Sequence, residues 1–150
     1  MADERGVPPL PRWLGYAGLL PQIAVVAVLL SRDPRFYFTA LSLGYAYAAL
    51  ILSFLGGMWW GLAARAERAP AWVWIAAVLP SLVALASAIP WAIGLEWPRP
   101  SLGWIGLCLL GSLAVDRGLC KAGLAPDWWM GLRVPLSSGL GVLTLAAACL

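Results

Sequence analysis

The sequence has no histidine, a single amide side chain (Gln22), three cysteines and little charge, with Asp, Glu, Lys and Arg making up 11% of its 150 residues. A soluble domain carries about a quarter charged residues, so this chain lacks the polar surface to cover a globule in water. The missing histidine removes the commonest ligand of zinc and haem. Cys108, Cys120 and Cys149 are odd in number, widely spaced and form no CxxC pair. That argues against a disulfide scaffold and leaves them as small buried hydrophobes. No nucleophile stands at motif spacing from a base, and no two carboxylates are paired, so no catalytic set is expected. The expectation is a non-enzymatic protein with no cofactor and no metal.

What is present is apolar, at 62% of the chain, and it comes in runs separated by short charged clusters. That is the pattern of a polytopic membrane protein. The expected fold is all-α, a single five-helix transmembrane domain over residues 1–150, with residues 1–12 as a flexible tail. The spans fall at about 14–30, 40–64, 71–91, 101–122 and 134–150. The start MADERGVPPLPRW carries Asp3, Glu4 and three prolines and is no signal peptide. Pro21 is expected to kink the first span. Thr39 and Ser101 are placed to cap the second and fourth helices, and Pro135 falls in the first turn of the fifth.

Five spans put the two ends of the chain on opposite sides. Arg5, Arg12, Arg65, Arg68, Arg117, Lys121 and Arg133 share the N-terminal side, against Arg32, Arg35 and Arg99 on the other, which accounts for all ten basic residues. The positive-inside rule then puts the N-terminus in the cytoplasm and the C-terminus outside. The expected location is a bacterial inner membrane, or the mitochondrial inner membrane with the matrix replacing the cytoplasm. Basic residues confined to loops speak for topology, and no nucleic-acid partner is expected.

Three stretches carry a resemblance to a known family: LGYAGLLPQ at Leu14 to Gln22, ILSFLGGMWWGLA at Ile51 to Ala63, and DRGLCKAGLAPDWWMGLRVPLS at Asp116 to Ser137. On these the chain resembles the domain of unknown function 3429 family, which includes mitochondrial transmembrane protein 69-like proteins. The resemblance covers nearly the whole chain and implies five helices in an energy-transducing membrane, with no assigned activity. One departure is the double Trp after the two glycines, where a single aromatic is expected, which makes Trp59 the less secure of the pair. Length, helix count and abundant Trp are also similar to the tryptophan-rich sensory or translocator proteins, an analogy of fold alone.

Candidate sites follow from the few polar groups and the small residues. Ser53, Gly57 and Gly61 recur at intervals of four and predict a close helix-packing seam. Trp59 and Trp60 read as interfacial anchors or as an aromatic wall for a planar ligand. Asp116 and Arg117 are the strongest polar candidates. A carboxylate at membrane depth is normally paired, here with Arg133 or Arg65, or else it faces a polar cavity. Gln22 beside Pro21, and Trp129 at the second interface turn, complete the ligand-binding candidates.

Three functions compete on this reading. The first is binding of a small hydrophobic or planar ligand, of the lipid, porphyrin or quinone class, in a helix-lined pocket near the cytoplasmic side. It expects Trp60, Asp116 and Gln22 to converge on one cavity. The second is a small transporter or proton-linked permease. The third is an assembly or scaffold subunit, which an exposed small-residue face on the second span would favour. Partners would be membrane lipid, a hydrophobic ligand, a second copy of the chain or another membrane protein.

Overall fold

Asp33 ends the first hairpin by capping a helix of 32 residues, the longest among the described residues. Its carboxylate accepts the backbone N–H of Arg35 at 3.0 Å, and Pro34 fills the first helical position, where a missing N–H costs nothing. The Arg35 side chain, followed by that backbone N–H, holds the Asp33 carboxyl below the usual carboxylate range. The cap therefore persists through mildly acid conditions and is lost as pH falls through that lowered value. Thr39 lies inside the helix and does not cap it.

The structure, a computed structural model, describes residues 6–95 and 98–150. Glu96, Trp97 and residues 1–5 lie outside the described residues. The helices are α1 (Pro9–Ala17), α2 (Leu20–Leu30), α3 (Pro34–Arg65), α4 (Ala71–Ala92), α5 (Pro98–Lys121) and α6 (Trp129–Cys149). α1 and α2 form one span, so among the described residues five segments are long and apolar enough to cross a membrane. The expected tail ends early, because Pro9 to Arg12 already belong to α1.

The first span breaks at Gly18 and Leu19. Pro21 has no N–H for the carbonyl of Ala17, so the helical ladder cannot pass through. The chain closes α1 with shorter turns instead, Gly18 N–H to Gly15 O and Leu19 N–H to Tyr16 O, both 3.0 Å. The Tyr47 hydroxyl on α3 donates to the freed Gly18 carbonyl and pins the break. Ser101 also differs from its expected role. α5 begins earlier, at Pro98, and Ser101 donates at 2.6 Å to the carbonyl of Ser87 on α4. α6 likewise starts at Trp129, which leaves Pro135 inside it.

α3 touches α2, α4, α5 and α6 and is the hub of the bundle. Its buried seam is Leu41, Tyr45, Ala48, Leu52, Leu55, Gly56, Trp59 and Ala63. Steps of four or three residues, with Gly56 beside Leu55, keep this row on one face. The expected seam of Ser53, Gly57 and Gly61 is not where the helices pack. A strict four-residue step drifts by about 40° each time, and it carries those glycines onto the outer surface. Gly57 and Gly61 are exposed, and a Cβ built on either meets nothing within 4 Å. The close approach is at Gly56, where a Cβ would stand 2.3 Å from the Ala77 carbonyl of α4. A second close crossing joins α5 to α6 at Gly106 and Gly141, where each built Cβ lies 3.2 Å from the other residue's carbonyl oxygen. Outward faces carry Leu50, Phe54, Leu79, Leu85 and Leu107, all exposed, as expected of a surface solvated by lipid chains.

Candidate functional site

Two helices present polar side chains at four-residue intervals and set them face to face. On α5 the row is Ser112 and Asp116; on α6 it is Trp129, Arg133 and Ser137. Residues four apart share a helical face, so each row is a ladder directed at the other helix. Asp116 has no exposed surface. Its Oδ1 accepts the indole N–H of Trp59 from α3 and of Trp129 from α6, both at 3.0 Å, and its Oδ2 accepts Nε of Arg133 at 2.9 Å. Arg133 is 5% exposed and also donates from Nη2 to Ser137 Oγ at 2.7 Å. Ser137 lies 3.3 Å from Ser112, which donates to the Leu109 carbonyl at 2.6 Å.

The carboxylate thus binds three helices together. An unpaired charge in a low-dielectric interior is costly, and this one is matched by a cation and by two neutral donors. Asp116 lies five residues before the end of α5, about 7 Å along the axis, so the network sits near one end of the bundle.

Above the network a groove of about 410 Å³ runs between α1, α3 and α6. Leu19, Leu55, Leu132, Leu136 and Leu140 form apolar walls, while Trp129, Arg133 and Ser137 supply its polar end. Leu14 and Phe54 also line it and are exposed, so the groove opens sideways, toward lipid. The α1 wall is lightly held. None of its residues is buried, and Gly15 rests on Leu132 and Leu136. A second hollow of similar size, between α2 and α3, is lined by Val25, Val28, Phe36 and Leu43 and contains no buried charge.

The expected convergence of Trp60, Asp116 and Gln22 on one cavity does not occur. Trp60 points outward, 49% exposed, with its ring edge-to-face on Trp74 at 4.8 Å. Trp59 takes the inward position because it falls on the buried seam. Gln22 is buried elsewhere and donates to Thr144 Oγ1 at 3.2 Å, while its Oε1 has no partner among the described residues. Arg117 and Arg65 are exposed, and among the described residues neither forms an ion pair; the partner of Asp116 is Arg133. Ser112 and Ser137 escaped notice in the sequence. Their signal was the four-residue offset from Asp116 and from Arg133. Among the described residues no group of three or more His, Cys, Asp or Glu side chains is placed to hold a metal ion.

Exchanging the two indoles separately tests this geometry. Trp59→Phe leaves an acceptor position on Asp116 unfilled and is expected to cost about 1–2 kcal/mol. Trp60→Phe removes no hydrogen bond to the network and should cost less than about 0.5 kcal/mol. Thermal melts of the two variants in detergent decide between them, and equal losses would contradict the inward placement of Trp59.

Five apolar spans around a buried ionic network with a lateral groove define a multi-pass helical membrane protein. The family described as "Protein of unknown function (DUF3429)" matches residues 7–149, and the chain belongs to it. No curated protein and no solved structure matches. The likeness to tryptophan-rich sensory or translocator proteins therefore rests on length, helix count and Trp content alone.

Proposed function

We propose that this membrane protein is non-enzymatic and holds a small lipid-soluble molecule in the groove between α1, α3 and α6. The observation behind this reading is Arg133. It is an almost buried cation in the groove wall, with two of its nitrogens bonded inside the protein. Among the described residues its Nη1 meets no acceptor. A guanidinium nitrogen in the groove wall is a charged donor, and a guest bearing an acceptor would bond to it. The apolar walls and the sideways mouth suit a guest that arrives from the bilayer.

Filling the groove tests the reading. The double variant Met58→Trp/Leu132→Trp places two rings in the space and leaves the ionic network intact. Native mass spectrometry of wild type is expected to show a retained small molecule, which the double variant loses while its melting temperature stays within a few degrees. Wild type with nothing retained, and with no shift on adding lipid-soluble compounds, contradicts the proposal.

The excess of basic residues supports placing the network end in the cytoplasm of a bacterial inner membrane, or in the matrix if the membrane is mitochondrial. Alkaline phosphatase fused after Leu150 should be active and a green fluorescent protein fusion dark; the opposite pair reverses the orientation.

The exposed Gly57 and Gly61 on α3 favour a second reading, a scaffold onto which a partner's helix docks. A protein that co-purifies with wild type, and is lost with Gly57→Leu, would favour it over the groove.

A further inference from the structure

We infer that the groove selects guests with a neutral carbonyl head, such as a quinone, a ketone or an ester, over anionic or cationic amphiphiles. This rests on the reading of the groove as a binding site and specifies what that site takes. The selection follows from the charge count at its polar end. Arg133 and Asp116 form a closed pair at 2.9 Å, so the wall offers hydrogen-bond donors without a net charge to neutralise.

Each alternative head leaves something buried and unbalanced. A phosphate or carboxylate on Arg133 would add an anion beside Asp116, which is already there, leaving one uncompensated negative charge in an apolar groove. An ammonium head would need an acceptor. Both Asp116 oxygens are occupied by three donors, and Asp116 itself does not line the groove. The remaining acceptor there is Ser137 Oγ, which already receives Arg133 Nη2. An added cation beside Arg133 is repelled as well. A carbonyl oxygen is acceptor-only and uncharged, which complements a neutral wall whose guanidinium can only donate and whose Ser137 oxygen is already engaged. A hydrogen bond from a charged donor is worth about 1.5–3 kcal/mol, or roughly tenfold to a hundredfold in affinity. Tails would lie along Leu14, Leu19, Phe54 and Leu136 toward the mouth.

The test compares probes with like tails but different heads, by native mass spectrometry of the full chain in maltoside micelles at neutral pH. The probes are decyl-benzoquinone, decyl acetate as the ester lipid, decyl phosphate and decylamine. The expected result is retention of the quinone or the ester lipid at least tenfold above the phosphate and the amine, and which of the two carbonyl probes is held separates a quinone guest from a lipid one. The double variant Asp116→Asn/Arg133→Met keeps an oxygen for both indoles, stays neutral and removes the guanidinium. It should lose that preference by tenfold or more while still taking up the tails. Asp116→Asn alone leaves Arg133 uncompensated and should turn the preference toward decyl phosphate. Equal retention of all four heads by wild type, or a wild-type preference for the phosphate, overturns the head selectivity and leaves the groove reading standing. Retention of none of them overturns both.

Discussion

Replacing Asp116 with leucine is expected to cost about 3–5 kcal/mol, the penalty for breaking a buried ion pair by removing one partner. The loss has three parts, since Arg133 keeps its charge without a counterion and the indole N–H groups of Trp59 and Trp129 lose their acceptor. Global stability of a domain this size is a small difference between large opposing terms, so a loss of this size should lower the melting temperature in detergent by roughly 10 °C or more. Size-exclusion profiles and a thermal melt followed by tryptophan fluorescence would show it. The double variant Asp116→Asn/Arg133→Met should lose far less than Asp116→Leu, because no buried charge is then left unpaired and the amide oxygen still accepts from the indoles. If Asp116→Leu melts within a degree or two of wild type, the network does not hold the helices.

The second large effect is at Gly56. Any side chain there begins 2.3 Å from the Ala77 carbonyl oxygen, and the neighbour is helix backbone, which cannot rotate away. Gly56→Leu must separate α3 from α4 along a crossing that buries Leu52, Leu55, Val73 and Ala77. Overpacking of this sort costs about 1–3 kcal/mol where a core yields a little, and more where it cannot. We expect Gly56→Leu at or above the upper end, and Gly57→Leu one residue away near zero, since a Cβ at Gly57 meets open space. The pair is a sharp control, because composition and helix propensity change identically. Equal destabilisation in the two would place the α3–α4 contact elsewhere.

The five spans were legible because bilayer insertion depends on run length and apolarity, and both are written in the sequence. The first span's break was half legible. Pro21 announced it, since its missing N–H unties the Ala17 carbonyl, but the Tyr47 hydroxyl bonded to Gly18 is a contact no local pattern encodes. Which glycine packs was decided by the slow rotation of a four-residue repeat around α3, and a strict spacing argument ignored it. Asp116 stood out because a carboxylate within a hydrophobic run is costly. Arg133 was one of two partners the sequence offered for it, but the indoles of Trp59 and Trp129 were not tied to it, because periodicity within a helix says nothing about its rotation against a neighbour. The groove was invisible for the same reason: Leu14, Phe54 and Leu136 are ordinary lipid-facing leucines and a phenylalanine until three helices are assembled.

The shared carboxylate also bears on how the chain enters the membrane. Charged residues near the middle of a lone helix each carry an insertion penalty of about 2.5–3.5 kcal/mol on biological scales, less toward its ends. α5 alone would carry Asp116 into lipid unmatched, and α6 alone would carry Arg133. The turn between them, residues 122–128, is short enough for both helices to leave the insertion machinery as one hairpin, with the two charges already in contact. Consecutive placement of the two helices thus pairs each charge with its counterion as they enter, beside an α3 that precedes both in the chain and can offer the indole of Trp59.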